Sequence, residues 1–437
     1  MSSNNTIPRE DFINRRNRFM KKIGDGNIAI LVSGEEIIRN GDVYYPFRQN
    51  SSFHYLTGFP EPSSVAVFAP GSSKPYTLFV RKHDPVMETW VGPRIGLRKA
   101  ISRYDANQTF DIDELSSELP KLIKKSDSVW YSIGTNSTID QLVTNQITER
   151  RDGRQRGGSP LNAVRDPQEI IDSLRVIKSN NEVNALQEAI NITAAGLANI
   201  EQLDKSGRTE YEVEAILESE YRRLGSLRDG FPSIVAAGNN SCTLHYTANR
   251  ARIKNGDLLL LDTGAEWDLY SADVSRTYPA NGKFTSAQRD VYEVVLSAQQ
   301  TAIESVKPGA TFYEPHQAAV RVLIDGLKDL KVLKGTRKSI EKSFAYRPFY
   351  MHGTSHWLGL DVHDAGNYSN PDQTPVNLKP GMVLTVEPGL YFPTNIDGVP
   401  KELRGIGIRI EDDILVTRNG RRNLSEAIPS KINEISA

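Results

Sequence analysis

At 437 residues the chain is too long for one typical hydrophobic core, so two domains are expected. Its 53 basic and 54 acidic residues leave a formal charge of −1, which argues against nucleic acid or an anionic membrane surface as the main partner. The single cysteine, Cys242, excludes an intramolecular disulfide and fits a reducing compartment. No apolar run approaches the roughly 18 residues of a membrane span. The first residues, MSSNNTIPREDF, lack the apolar core of a secretory signal. A cytoplasmic setting is therefore the expectation.

In chain order, a basic helix is expected over 9–22. The apolar runs at 27–33 (NIAILVS), 64–69 (SVAVFA) and 76–82 (YTLFVRK) read as short buried strands with turn residues between them. Helical spacing over 112–125 is interrupted by Pro120, and 128–133 (SVWYSI) reads as another strand. Strand and helix alternate, so this part is expected to be an α/β domain. Its most apolar and aromatic stretch runs from Tyr44 to Phe59. That stretch is a partner surface or, in the reading preferred here, buried core. The basic, glycine-rich 150–160 (RRDGRQRGGSP) lacks phosphate-loop spacing and reads as a mobile loop or linker.

Beyond the linker, 177–203 and 209–224 are helical, the second opening on Thr209-Glu210-Tyr211-Glu212, a capping-box pattern. The boundary is placed near Arg175, giving domains over 1–175 and 176–437. Four leucines at 258–261 form a buried strand that ends at Asp262. Long amphipathic helices are expected over 286–306 and 311–330. A strand over 383–386 ends at Glu387, and one strand over 406–416 carries Glu411.

Acids that end buried strands are costly without partners. For any one of Asp262, Asp273, Glu387 and Glu411, a simple turn residue is the plainer reading. Three of the seven histidines, however, fall at His352, His356 and His363, where Gly353 and Gly359 oppose a long helix. If His356 and the four carboxylates converge, each pair of like charges about 4 Å apart repels by about 4 kcal/mol at an effective dielectric of about 20. Their pKa values must then rise, or cations must bind. Two divalent ions balance four carboxylates, and an oxygen-rich set with one imidazole suits manganese, iron, cobalt or zinc. Such a pair of ions can acidify a water enough for hydrolysis near neutral pH.

The run His352-Gly-Thr-Ser-His356-Trp-Leu-Gly-Leu-Asp-Val-His363-Asp is similar to the signature of the proline peptidases in the pita-bread metallopeptidase clan. Leu244-His245-Tyr246 resembles the clan's upstream substrate histidine. Tyr45 to Phe59 and Glu88-Thr-Trp-Val-Gly92 resemble the first domain of bacterial aminopeptidase P. The resemblance covers nearly the whole chain. It implies an α/β, creatinase or aminopeptidase P-like N-terminal domain followed by an α+β pita-bread catalytic domain. The implied activity is that of a Xaa-Pro aminopeptidase, acting on peptides with proline at the second position.

Carried over, Asp262, Asp273, His356, Glu387 and Glu411 would bind two divalent ions, manganese first, with zinc, cobalt or iron as alternatives. Asp273 and Glu411 would bridge the ions, and Glu387 would also be the general base. His245 and His363 would bond the peptide and its tetrahedral intermediate, while His352, Tyr391 and Arg409 would surround the proline ring or simply pack. A homo-oligomer, dimer or tetramer, is also implied. Tyr44-Tyr45 departs from the more acidic pair of some relatives, which leaves a role of that stretch in a proton network or subunit contacts open. The rival readings are prolidase, methionine aminopeptidase, a creatinase-like hydrolase and a non-catalytic peptide-binding member of the fold.

Overall fold

The computed structural model describes residues 7–156 and 159–436. It divides into two compact units, Ile7–Arg175 and Val176–Ala437. The first is built on a six-stranded mixed sheet in the order Gln108–Asp111, Tyr76–Val80, Val65–Phe68, Asn27–Val32, Ser128–Trp130, Ala163–Arg165. Asn27–Val32 pairs antiparallel with Val65–Phe68 and parallel with Ser128–Trp130. Strands covered on both faces should be apolar throughout, and every residue of VAVF and YTLFV is buried. One face packs Ile28, Ile30, Val67 and Phe79 against Leu119 and Ile123 of the helix Leu115–Ile123. That helix contains Pro120 at its sixth position, past the first turn, so the chain there forgoes the bond that an N–H would make to the carbonyl four residues back.

The aromatic stretch is split in two. Ser51–Thr57 is a helix with Phe53, Tyr55 and Leu56 buried, capped by the Asn50 side chain accepting from Phe53 N–H. Tyr44 and Tyr45 instead stand 51% and 53% exposed, at and just beyond a two-stranded hairpin, Ile38–Asn40 with Val43–Tyr44. The core reading therefore holds for the second half of the stretch only. The expected linker begins in regular structure: the helix Ser137–Asp152 runs into it and a 3-10 turn Gly153–Arg156 follows. Gly157 and Gly158 lie outside the described residues.

The second unit combines long helices with small antiparallel sheets. The helix expected over 177–203 begins only at Asn180, because Ser179 and Glu182 form a capping box and Lys178 N–H bonds Gly381 O. Leu258–Thr263 is buried at all six positions and lies between Ile234–Ala237 and Val274–Pro279. Gly264 follows it, and a Cβ there would overlap the Ala272 carbonyl oxygen. That close backbone approach needs glycine, and it brings Asp273 beside the end of the Asp262 strand. The single strand expected over 406–416 is two strands. Ile406–Arg409 pairs with Gly389–Phe392, whereas Asp412–Thr417 pairs with Val383–Val386. Glu411 lies in the break between them, where its N–H bonds Ser275 O. Alternation along one strand therefore does not aim it; the change of partner strand does.

Candidate active site

All five proposed donors line one cavity of about 410 Å³. Asp262 is the next-to-last residue of its strand, and Asp273 immediately precedes Val274–Pro279. His356 lies on a non-helical segment that runs beside Val383–Val386, its carbonyl accepting from Thr385 N–H. Glu387 follows that strand, tied by its own N–H to Thr354 O at 2.8 Å. Asp273, His356 and Glu411 each present a donor atom within 4.8 Å of the others. His356 Nε2 is 3.3 Å from Asp273 Oδ2 and 3.7 Å from Glu387 Oε1. His356 Nδ1 sits 3.0 Å from the Trp357 carbonyl oxygen, so it donates there and leaves Nε2 as the ligand atom.

Asp262 is placed differently. Its Oδ2 accepts from Arg409 at 2.5 Å, while its Oδ1 is buried with no hydrogen-bond partner. A buried carboxylate oxygen left without a donor is costly, and a cation beside it would remove that cost. The donor set thus fits divalent metal. The electrostatics agree. Burial, then the negative charges of Asp262, Asp413 and Glu387, hold the Asp273 carboxyl well above the usual carboxylate range. Glu411 is raised likewise by burial, Asp273 and Glu387. Glu387 is pushed up to about 7, mainly by burial. Protons stand in for cations when none are bound.

Around this set runs a chain of hydrogen bonds. Ser275 Oγ donates to Glu411 Oε2 and accepts from Arg409 Nε, both at 2.9 Å. Arg409 also donates to Tyr391 OH at 3.1 Å. His352 Nδ1 is 2.8 Å from Gly353 O and Nε2 is 2.9 Å from Tyr391 OH, so the imidazole donates to the carbonyl of the next residue and accepts from the phenol. Burial and the Arg409 charge lower the His352 pKa to about 3, consistent with a neutral ring. His352 and Arg409 line the cavity, whereas Tyr391 is fully buried and reaches them through its hydroxyl. His245 and His363 line it too. The His363 ring stands edge-on to His356 at 4.5 Å, and burial followed by the positive charges of His356 and His245 lowers its pKa.

Three supporting residues have no clear mark in the sequence. Glu210, fully buried, accepts from Ala237 N–H, Ala251 N–H, Asn240 Nδ2 and Tyr246 OH at 2.8–2.9 Å, fixing the loop that carries His245. As the first residue of the helix Glu210–Arg223 it reads from sequence as an ordinary dipole-facing acid. Lys178 Nζ meets Asp364 Oδ2 at 2.9 Å in a buried pair beside His363. Asp413, also fully buried, accepts the Asp273 N–H; only its place two residues past Glu411 hints at this.

Fold and donor set together define a metal-dependent hydrolase. The chain belongs to metallopeptidase family M24, whose profile matches residues 184–418, and the aminopeptidase P N-terminal domain matches residues 12–130. It is 38% identical to the Xaa-Pro aminopeptidase of Haemophilus influenzae, over 98% of this chain and 97% of the relative. The Xaa-Pro aminopeptidase of Escherichia coli is also 38% identical, over 99% and 98%. Among solved structures, an aminopeptidase from Pseudomonas aeruginosa superposes with a TM-score of 0.95 at 41% identity, covering 98% of this chain and 97% of that one. Zinc-substituted E. coli aminopeptidase P in complex with product gives 0.94 at 37% identity, over 98% and 97%. No helix among the described residues is long and apolar enough to cross a membrane.

Proposed function

We propose that the chain is a Xaa-Pro aminopeptidase, releasing the N-terminal residue of peptides whose second residue is proline. The convergence of Asp273, His356 and Glu411, with Asp262 and Glu387 on the same cavity wall, carries this reading. These five residues would hold two divalent ions; manganese is the first candidate, with zinc, cobalt or iron as alternatives. When bound, the ions supply Lewis acidity, lowering the pKa of a water from 15.7 to about 7 and polarising the scissile carbonyl.

The chain's own residues do the rest. Asp262 faces the free α-amine of the substrate, whose positive charge suits a carboxylate. Glu387 takes the proton of the attacking water as the C–O bond forms and the carbonyl π pair moves onto oxygen, then passes that proton to the proline nitrogen as the C–N bond breaks and the carbonyl re-forms. His245 and His363, both in the cavity lining, donate to the carbonyl oxygen as it becomes an oxyanion. His352, with Tyr391 and Arg409 locking its ring, forms the wall for the proline ring. The near-neutral charge and single cysteine suit a cytoplasmic enzyme, and the family resemblance implies a homo-oligomer, dimer or tetramer. Chelator-treated protein, verified by elemental analysis, should be inactive on Ala-Pro-Ala and recover with about two Mn²⁺ per chain. Full activity in stripped protein would overturn the reading.

A further inference from the structure

A second cavity shares a wall with the first. It measures about 240 Å³ and is lined by Phe312, Tyr313, Tyr346, Tyr350 and Met351. His352, Gly353 and Ser355 line both spaces, so one short stretch of chain separates them. The His352 ring stands between the two sides: Tyr350 meets it edge-on at 4.8 Å, and Tyr391 bonds its Nε2.

The chemistry of this cavity is mainly apolar. Its polar groups pair among themselves, because His316 Nδ1 lies 2.9 Å from Thr354 Oγ1, which also bonds Tyr350 OH. Tyr313 and Met351 are 41% and 45% exposed, so the cavity opens to solvent. Arg347 also lines it. Its guanidinium lies over the Phe344 ring at 4.6 Å and makes no ion pair among the described residues. Whole small-molecule sites span about 300–1,000 Å³; this one is smaller and suits a single side chain.

We propose that this cavity is an accessory subsite for the downstream end of the peptide substrate. It takes an aromatic or large aliphatic side chain one or two residues past proline, with Arg347 attracting the peptide's terminal carboxylate. Continuity with the active-site wall, an apolar lining, a size fit for one side chain and an uncompensated cation all favour that occupant. The inference rests on the Xaa-Pro reading and extends it to positions that reading leaves open.

The test uses the metal-loaded full chain and the peptides Ala-Pro-Ala-Ala, Ala-Pro-Phe-Ala and Ala-Pro-Ala-Phe, each as free acid and as amide. One phenylalanine peptide should show kcat/KM at least about tenfold above the alanine peptide. Amidation should lower its kcat/KM several-fold. In Tyr313→Ala the phenylalanine-to-alanine ratio should fall towards one, and in Arg347→Gln the acid-to-amide ratio should do the same. Ratios are compared, so a general loss of activity in a variant leaves the comparison intact. Calorimetry with Pro-Phe-Ala and Pro-Ala-Ala should show the same preference in binding. If the wild-type protein cleaves all three peptides equally and binds both products equally, the subsite is wrong. If it cleaves none of them, the Xaa-Pro reading fails first.

Discussion

Metal-free Glu387→Gln protein should be more stable than metal-free wild type at pH of about 7.5, and the advantage should vanish near pH 4.5. Burial raises the Glu387 pKa from 4.5 to about 7. Between those values the folded chain keeps a proton that the unfolded chain releases. Stability therefore falls as pH rises through the window, and the whole penalty is present above the folded pKa. A displacement of about 2.5 units corresponds to about 3 kcal/mol, and glutamine has the neutral charge of the protonated acid at all pH. For a unit of this size the difference amounts to roughly 6–12 °C in Tm.

Other groups titrate in the same range. His352 and His54 are both lowered to about 3 and Glu218 is raised to about 7. Those three are common to both proteins and cancel in the difference, whereas Asp273 and Glu411, which the Glu387 charge helps to raise, are relieved of that repulsion in the variant and add to its advantage at high pH. The assay is calorimetric Tm of both chelator-treated proteins from about pH 4.5 to 8. A variant no more stable than wild type at pH 7.5 would refute the claim that these buried carboxyls require cations or protons. With Mn²⁺ bound the order should reverse, because the variant lacks a donor.

Two further substitutions separate the roles of the site residues. His356→Ala should lose metal, whereas His363→Ala should keep about two ions and lower kcat by about 10²–10³-fold, as loss of an oxyanion donor does; equal metal loss in elemental analysis would show that His363 has been given the wrong role. Glu210→Gln should lower stability by about 2–4 kcal/mol, since an amide cannot accept from all four donors around that carboxylate, and should raise KM through the His245 loop. Unchanged denaturant unfolding would contradict that account.

The five candidate donors drew attention in the sequence because the acids follow apolar runs or sit beside small residues and the histidine spacing is distinctive, the family resemblance joined them into one set, and all five line one cavity. What stayed hidden depends on which strand pairs with which. Nothing in Gly-Ile-Gly-Ile-Arg-Ile-Glu-Asp-Asp shows that Ile406–Arg409 and Asp412–Thr417 join different partners, yet that change of partner places Glu411. Arg409 is expected from the resemblance to stand around the proline ring or simply to pack. It lines the cavity, but its bonds to Asp262, Ser275 and Tyr391 tie it into the donor set through contacts distant in sequence. The late start of the helix Asn180–Glu201 was readable in principle, since Ser179-Asn-Asn-Glu182 is a capping box. Exposure of Tyr44 and Tyr45 was not, because the run Val43-Tyr-Tyr-Pro-Phe47 has the β-branched and aromatic residues of a core strand as well as of a surface hairpin. The wall of the second cavity gathers residues from 312 to 355, and no local pattern unites them.

The central claim is proline specificity at a metal-dependent peptidase site. A proline nitrogen has no N–H and its ring fixes φ near −65°, whereas an ordinary residue would bring an N–H that needs a partner in a closely walled pocket. The most direct measurement compares kcat/KM of the Mn²⁺-loaded chain for Ala-Pro-Ala and Ala-Ala-Ala. The account predicts at least a hundredfold preference for the proline peptide, about 2.7 kcal/mol in the transition state. A ratio near one would contradict it.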